Sequence, residues 1–318
     1  MPKYRHHLPQ LDAATFLSDG GIETTLIFHD GFDLPDFAAF ALLADPAGRA
    51  ALHRYFDSYV AVATRDGVGI VLETPTWRAS PDWGARAGYG VEALEAVNRD
   101  AVDLLVEVRA RHETPSTPVV ISGCIGPRGD GYQVGATMTA DEARNYHALQ
   151  ARAFAASEAD VVTAITMTYV DEAIGVTEAA RSAGMPVVIS FTVETDGRLP
   201  SGQALGEAIE AVDAATGAYP AYYMVNCAHP THFASVFDGS PAWAARIGGV
   251  RANASKLSHA ELDEAEELDA GDPADLAERY AELRAALPRL RVLGGCCGTD
   301  HSHIEAISQR CRLPVSAA

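Results

Sequence analysis

The chain has 318 residues, of which 48% are hydrophobic and 21% charged, and its formal net charge is −19. This composition is typical of a folded protein, and the excess of acidic residues argues against nucleic acids and anionic membranes as partners. No apolar run reaches the ~20 residues that span a bilayer. Residues 1–15 are typical of an N-terminal tail without the apolar segment of a signal peptide, and the odd count of five cysteines does not indicate a disulfide framework. We therefore expect a cytoplasmic protein.

Short apolar, β-branched segments alternate with Ala-rich amphipathic stretches along the chain. In chain order the predicted strands are 16–19, 69–73, 119–122, 161–167, 187–191, 222–226, 247–250 and 292–295, and the clearest helical patterns are 91–111, 140–158, 171–183 and 273–287. Strands that alternate with helices predict βαβ units and a parallel sheet.

Eight such strands predict an α/β fold, a single-domain (β/α)8 TIM barrel over residues 1–318. The alternative is a doubly wound open sheet, but no Gly-x-Gly-x-x-Gly follows the first strand, as its dinucleotide-binding version requires. In a barrel the active site lies at the carboxyl ends of the strands. Unusual residues collect there: Asp19-Gly20-Gly21, Thr74-Pro75-Thr76-Trp77, Gly123-Cys124-Ile125-Gly126-Pro127, Asn226-Cys227, Asn253 and Gly294 to Gly298.

Three cysteines follow the sixth and eighth strands. Cys227 alone is typical of a small buried side chain. Cys296 and Cys297 would point to opposite faces of a regular strand, so both reach one site only if the backbone turns, which the flanking glycines permit. A disulfide between these two neighbours would be strained and is disfavoured in a reducing compartment.

Three thiolates with one open coordination position suit zinc, and the distance between the two cysteine segments in the sequence requires the fold to bring them together. An added thiol would bind such a site as the thiolate and remain nucleophilic at neutral pH. It would then attack a carbon attached to a cationic leaving group, such as a sulfonium or ammonium methyl. The cysteines thus predict methyl transfer to a thiol.

From about residue 17 to residue 307 the chain resembles the homocysteine S-methyltransferase family of zinc-dependent (β/α)8 barrels. The most specific motifs are Gly294-Gly295-Cys296-Cys297-Gly298-Thr299 and Asn226-Cys227, and Asp19-Gly20-Gly21 matches the family's opening turn. The resemblance implies a Zn²⁺ cofactor held by Cys227, Cys296 and Cys297. It also implies methyl transfer from a sulfonium or ammonium donor to homocysteine, which gives methionine.

The residues that we expect to contact substrate follow from this resemblance and from their places at strand ends. They are Asp19, Gly20, Gly21, Thr74, Thr76, Trp77, Met167, Thr168, Asn226 and Asn253. The expected partners are a small thiol acceptor and a cationic methyl donor, and a homo-oligomer is compatible with the sequence.

One departure from the family concerns the acceptor. Many relatives carry Glu-Thr after the fourth strand, and that Glu binds the amino group of homocysteine, whereas this chain has Met167-Thr168. Either Glu73, Asp171 or Glu172 replaces the lost charge, or the acceptor is a different thiol or selenol. A third alternative is a non-catalytic zinc-binding barrel.

Several other residues near strand ends have two interpretations each. Trp77 and Tyr169 either form a cation–π wall for the methyl donor or pack in the core. Tyr132 either closes over the site or lies on a surface loop. His301 and His303 begin a helix over 301–310, capped by Thr299 or Asp300, which argues against metal ligation. His229 is a candidate donor-site residue, and Cys124 lies near the barrel mouth.

Overall fold

The computed structural model describes residues 1–12, 14–265 and 267–311. In this part of the chain eight parallel strands close into a barrel in sequence order. They are β1 (Phe16–Ser18), β2 (Gly69–Glu73), β3 (Val119–Ile125), β4 (Val161–Met167), β5 (Val187–Thr192), β6 (Tyr223–Asn226), β7 (Ile247–Ala252) and β8 (Val292–Gly295). The predicted (β/α)8 barrel is confirmed.

Helices surround the strands. They are α1 (Ile22–Thr24), α2 (Pro46–Asp66), α3 (Pro81–Arg86), α4 (Val91–His112), α5 (Ala140–Ala155), α6 (Val170–Ser182), α7 (Leu205–Thr216), α8 (Pro230–Phe233), α9 (His259–Asp263), α10 (Pro273–Ala286) and α11 (His301–Arg310). Local sequence sets several ends. Asp45 caps α2, which ends at Gly67 with φ 64°, and Thr139 and Glu142 form a reciprocal capping box at α5.

The hydrophobic core has two parts. An outer layer lies between the strands and the helices. A smaller cluster includes Phe16, Val71, Val120 and Val161 from early strand positions, and Leu8 from the N-terminal segment packs against it. This second cluster fills the end of the barrel at which the strands begin.

Residues 3–5 of the predicted N-terminal tail make specific contacts at that same end. The backbone N–H of Tyr4 donates to the Asp160 carboxylate at 2.7 Å. The Arg5 guanidinium donates to backbone carbonyls between residues 154 and 159, including that of Ala159 at 2.7 Å. The segment therefore covers the bottom of the barrel.

The opposite end carries the irregular backbone. The ladder between β4 and β5 shifts register between Ala164 and Met167, and Thr166 has a φ of 63°. The Asn226 side chain holds this bulge, because its Oδ1 accepts from Thr166 N at 2.9 Å and its Nδ2 donates to Thr166 Oγ1 at 3.0 Å. Strained backbone of this kind is typical of functional ends.

In the described residues, no helix is long and apolar enough to cross a membrane.

Candidate active site

The three predicted metal ligands come together at the carboxyl end of the barrel. The sulfur atoms of Cys227, Cys296 and Cys297 all lie within 4.8 Å of one another. Among the described residues, this is the one group of three or more His, Cys, Asp or Glu side chains that lie close enough together to hold a metal ion. The fold thus joins segments that follow β6 and β8.

The backbone turn that the neighbouring cysteines require begins where β8 ends. Cys296 N donates to Ala252 O at 2.8 Å, the last bond before the turn. Gly298 then adopts a φ of 78°, and its N–H donates to Thr24 Oγ1 at 3.0 Å. A side chain at Gly21 would lie 2.6 Å from the Cys296 carbonyl. Residues 21–24 therefore pack directly on the cysteine turn.

The structure joins Cys227 and Cys296 in a disulfide, with their α-carbons 5.3 Å apart, and leaves Cys297 as a free thiol. The bond between the neighbours Cys296 and Cys297, considered from the sequence, is therefore not the one that forms. Disulfide sulfurs are not thiolate ligands, so metal binding at this cluster requires the reduced protein.

Cys227 is held by the residues on either side of the site. Its backbone has a φ of 54°, which is rare for a residue with a side chain. Its N–H donates to Arg251 O at 3.1 Å. Its carbonyl accepts from Asn253 Nδ2 at 3.0 Å and from His259 Nε2 at 2.6 Å. Asn253 therefore orients Cys227, and its Oδ1 is buried without a partner among the described residues.

Tyr132 closes over the cysteines from the loop after β3. Its hydroxyl lies 3.0 Å from the Cys297 sulfur, and its ring stacks on His259 with the ring centroids 4.1 Å apart. Of the two interpretations of Tyr132, the structure supports the one in which it closes over the site. Desolvation raises the pKa of Cys297 to about 11, and the hydrogen bond from Tyr132 opposes this shift.

Asp19 is fully engaged beneath the cysteines. It is buried, and its carboxylate pairs with Arg251 at 2.6 Å and accepts from the hydroxyls of Tyr55 at 3.1 Å and Ser18 at 3.0 Å. Arg251, at the end of β7, also donates to Ser18 and to Gly20 O at 3.3 Å. The Asp-Gly-Gly turn is thus tied to β7 by a buried ion pair.

A comparison with known proteins assigns the chain to a family. The family described as homocysteine S-methyltransferase matches residues 16–311. The chain belongs to the homocysteine S-methyltransferase family. The resemblance seen in the motifs is confirmed, and the protein is a methyltransferase.

Solved structures of the homocysteine methyltransferase MmuM from Escherichia coli share the fold of this methyltransferase. The oxidized form superposes with a TM-score of 0.76 at 19% identity, covering 95% of this chain and 98% of that one. The metallated form gives 0.75 at 16% identity, covering 96% and 99%, and the apo form gives 0.68 at 17%, covering 96% and 98%. No curated protein sequence matches the chain significantly.

Met167 lies away from the mouth of the methyltransferase barrel. It is fully buried in the outer core and pairs in register with Phe191 of that layer. The bulge at Thr166 is the physical reason, because one extra residue reverses the side on which the next side chain lies. Thr166 instead lies against the loop after β3. A Cβ atom added to Gly131 in that loop would lie 3.2 Å from the Thr166 methyl group. Thr168 is buried, and its carbonyl accepts from Ser201 N at 3.3 Å.

The three carboxylates considered as replacements occupy different environments. Glu172 is buried, accepts from Arg128 N at 2.8 Å and lies 3.0 Å from His147 Nε2. Asp171 is exposed in the first turn of α6. Glu73 is buried in the barrel, where burial raises its pKa to about 7 and the positive charge of Arg251 opposes the rise.

Polar side chains in the loop after β2 are hydrogen-bonded to the backbone of β3. Thr74 Oγ1 accepts from Cys124 N at 2.9 Å, and Thr76 Oγ1 donates to Cys124 O at 2.7 Å. The Arg78 guanidinium lies 3.8 Å from the ring of Trp77 and 3.8 Å from that of Trp83. Trp77 therefore already has a cation against its ring, although its indole N–H has no partner among the described residues.

The remaining candidates lie outside the cysteine cluster. Asp300 caps α11 and binds His303 Nδ1 at 2.9 Å, which confirms the capping interpretation, and His301 is exposed. His229 caps α8, and burial lowers its pKa to about 4. Cys124 is buried, and Tyr169 accepts from Met138 N at 3.1 Å.

The sequence interpretation missed three charged residues at the mouth, namely Arg251, Arg78 and Glu23. Arg251 breaks the apolar strand IGGVRA, and a charge in a barrel strand indicates a buried partner. Glu23 follows the Asp-Gly-Gly turn by two residues, which places it at the same barrel end as the cysteines. These signals were available in the sequence.

Proposed function

We propose that this methyltransferase moves a methyl group from a sulfonium or ammonium donor to the thiol of homocysteine, giving methionine. The observation that supports this most is the cluster of three sulfur atoms within 4.8 Å at the carboxyl end of the barrel. The barrel end is where such folds hold their active sites.

The donor set fits zinc. Three cysteine sulfurs from two distant segments meet at the mouth, and no carboxylate or imidazole of the described residues joins them. This is the soft ligand set that zinc prefers, with room for one further ligand. Cys227, Cys296 and Cys297 would hold the ion in the reduced protein. Bound zinc would favour the thiolate form of an added thiol and keep it nucleophilic at neutral pH.

In the transfer, a bond forms between the acceptor sulfur and the methyl carbon. The bond from that carbon to the sulfonium sulfur or ammonium nitrogen breaks, and its electron pair leaves with the donor as a neutral thioether or amine. The thiol proton passes to solvent. Residues of this chain prepare the site: Asn253 and His259 orient Cys227, and the Tyr132 hydroxyl lies against the Cys297 thiol.

A second acceptor class is also supported by one observation. Met167 stands where many relatives have Glu, and its side chain packs in the outer core. Strand β4 therefore offers no carboxylate to the ammonium group of an acceptor at this position. A thiol or selenol without an amino group is therefore the alternative acceptor. A non-catalytic zinc barrel would be expected to close its fourth coordination position, and the described residues offer no fourth side chain in the cluster.

Reconstitution with zinc and a donor screen test the proposal. The reduced protein, prepared without chelators, is expected to hold about one zinc per chain by elemental analysis. With homocysteine and S-methylmethionine, S-adenosylmethionine, betaine or a dimethylsulfonium compound, mass spectrometry should detect methionine from at least one donor. Cys124→Ala, outside the cluster, is the matched control for Cys297→Ala. A reduced protein without stoichiometric metal, or equal turnover by both variants, would reject the proposal.

The partners that we propose are small molecules, consistent with the net charge of −19. A cytoplasmic location stays a prediction, and it agrees with a cluster that needs reduced cysteines.

A further inference from the structure

An amino-acid thiol brings a positively charged ammonium close to its sulfur. In a partly desolvated mouth that charge requires a carboxylate, because an unpaired charge is costly to bury. Two of the carboxylates considered above already have partners: Asp19 is paired with Arg251, and Glu172 is bonded to Arg128 N and His147. Glu73 is buried inside the barrel, where burial raises its pKa to about 7, so it does not offer an accessible charge at the mouth.

Glu23 differs from Asp19 and Glu172 in having no partner among the described residues, and from Glu73 in being only partly buried. It lies on α1, is partly buried, and forms no hydrogen bond or ion pair with another described residue. Burial raises the pKa of Glu23 to about 7, and the positive charges of Arg78 and Arg251 oppose the rise although neither pairs with it.

The residues next to Glu23 are hydrogen-bonded to the turn that follows Cys296 and Cys297. The adjacent Thr24 accepts from Gly298 N at 3.0 Å, and Gly21 N donates to Thr299 O at 3.1 Å. The charge of Glu23 acts on both Cys297 and Tyr132, the two groups that meet at the cysteine cluster. Glu23 therefore lies close to the cysteine turn at which the acceptor thiol is proposed to bind.

We propose that Glu23 binds the ammonium group of the acceptor and so determines that this methyltransferase accepts an α-amino-acid thiol. The inference rests on the proposed function, since it concerns how the acceptor of that reaction is chosen. A carboxylate supplied from α1 takes the place of the one that β4 does not provide. It approaches the acceptor from the β1 side of the cysteines.

Equilibrium binding to the zinc-loaded, reduced protein tests this role with two probes. One is L-homocysteine, and the other is 4-sulfanylbutanoic acid, which keeps the thiol and the carboxylate but has no amino group. Isothermal titration would compare wild type with Glu23→Gln, with Glu23→Asp as a conservative variant. The matched control is Glu264→Gln, which alters an exposed carboxylate. Zinc content and melting temperature are measured for each variant.

Glu23→Gln should weaken homocysteine binding roughly 10- to 100-fold, as expected for loss of a hydrogen bond between charged groups. It should change binding of the amine-free thiol by less than about twofold, and zinc content should stay constant. Glu23→Asp should retain part of the preference. Equal homocysteine affinity in wild type and Glu23→Gln, or equal losses for both probes, would overturn the assignment. If wild type binds the amine-free thiol but not homocysteine, the acceptor in the proposed function is wrong as well.

Discussion

The two ends of this barrel solve different physical problems. At the bottom, Asp160 is fully buried and accepts from Tyr4 N, Arg109 Nη1 and Ile121 N at 2.7 to 3.0 Å. At the mouth, the charged groups of Glu73 and Arg78 each keep a buried atom without a partner among the described residues. The residues with left-handed φ that adjoin the site, Thr166 and Cys227, also lie at the mouth.

This difference between the bottom and the mouth separates the residues that stabilise the fold from those expected to take part in the reaction. Paired charges and the covering N-terminal segment stabilise the bottom, whereas strained backbone and unpaired charged groups lie at the mouth, which is the end at which such barrels hold their active sites. Substitutions at the bottom should therefore alter folding with little effect on turnover, and substitutions at the mouth should do the reverse.

The largest expected effect is at the cysteine cluster. Cys297→Ser should reduce methyl transfer at least about 1,000-fold, because one of three proposed zinc ligands is lost. The free energy of unfolding of the reduced, metal-free protein should change by less than about 1 kcal/mol, since Cys297 lies at the edge of the mouth. Turnover and urea denaturation measure the two quantities. A large loss of stability with retained turnover would contradict the contrast between the ends.

The opposite result is expected at the bottom. Asp160→Ala leaves Arg109 without its buried partner and should lower the free energy of unfolding by roughly 3 to 5 kcal/mol. Turnover per folded molecule should remain within about twofold. Glu158→Gln is the matched control, because Glu158 is 41% exposed and contacts the same Arg109 at 3.5 Å; it should cost less than about 1 kcal/mol. Urea denaturation that ranks the two variants in reverse would count against this account.

The pH dependence of the unfolding free energy gives a further test of the mouth, through Glu73. Burial raises its pKa to about 7 in the folded protein, above its ordinary value near 4.5. The folded state therefore keeps a proton that the unfolded state has lost, so the stability from this group is full below pH 4.5 and is lost as pH rises through 7. Between pH 5 and pH 8, Glu73→Gln should gain roughly 2 to 3 kcal/mol relative to wild type. Parallel pH profiles of unfolding free energy for the two proteins would disprove this.

The smallest effect is expected at Tyr132. Its hydroxyl lowers the pKa of Cys297, so Tyr132→Phe should slow alkylation of Cys297 by iodoacetamide at pH 9 about two- to fivefold. Peptide mapping of the protein with the Cys227–Cys296 disulfide intact isolates the Cys297 reaction. Tyr169→Phe is the control, because its hydroxyl bonds Met138 N instead of a sulfur. Equal rates in the two variants would show that the hydroxyl does not act on this thiol.

The strands were predictable because their signals are local, and the cysteine cluster was predictable because a barrel brings the carboxyl ends of the sixth and eighth strands to one end. Apolar β-branched runs mark the strands, and glycines beside Cys296 and Cys297 mark the turn. The position of Met167 was not predictable, since the bulge that buries it depends on the Asn226 side chain two strands away. The same holds for Asp19, whose partner Arg251 is distant in the sequence. Non-local contacts decide which mouth residues are available to a ligand.

The cover at the bottom of the barrel has a consequence for the order of assembly. Lys3, Tyr4 and Arg5 bind residues between 113 and 160, so during synthesis they emerge from the ribosome long before their partners exist. The contacts that cover the bottom of the barrel can therefore form only after residues 113–160 have been made.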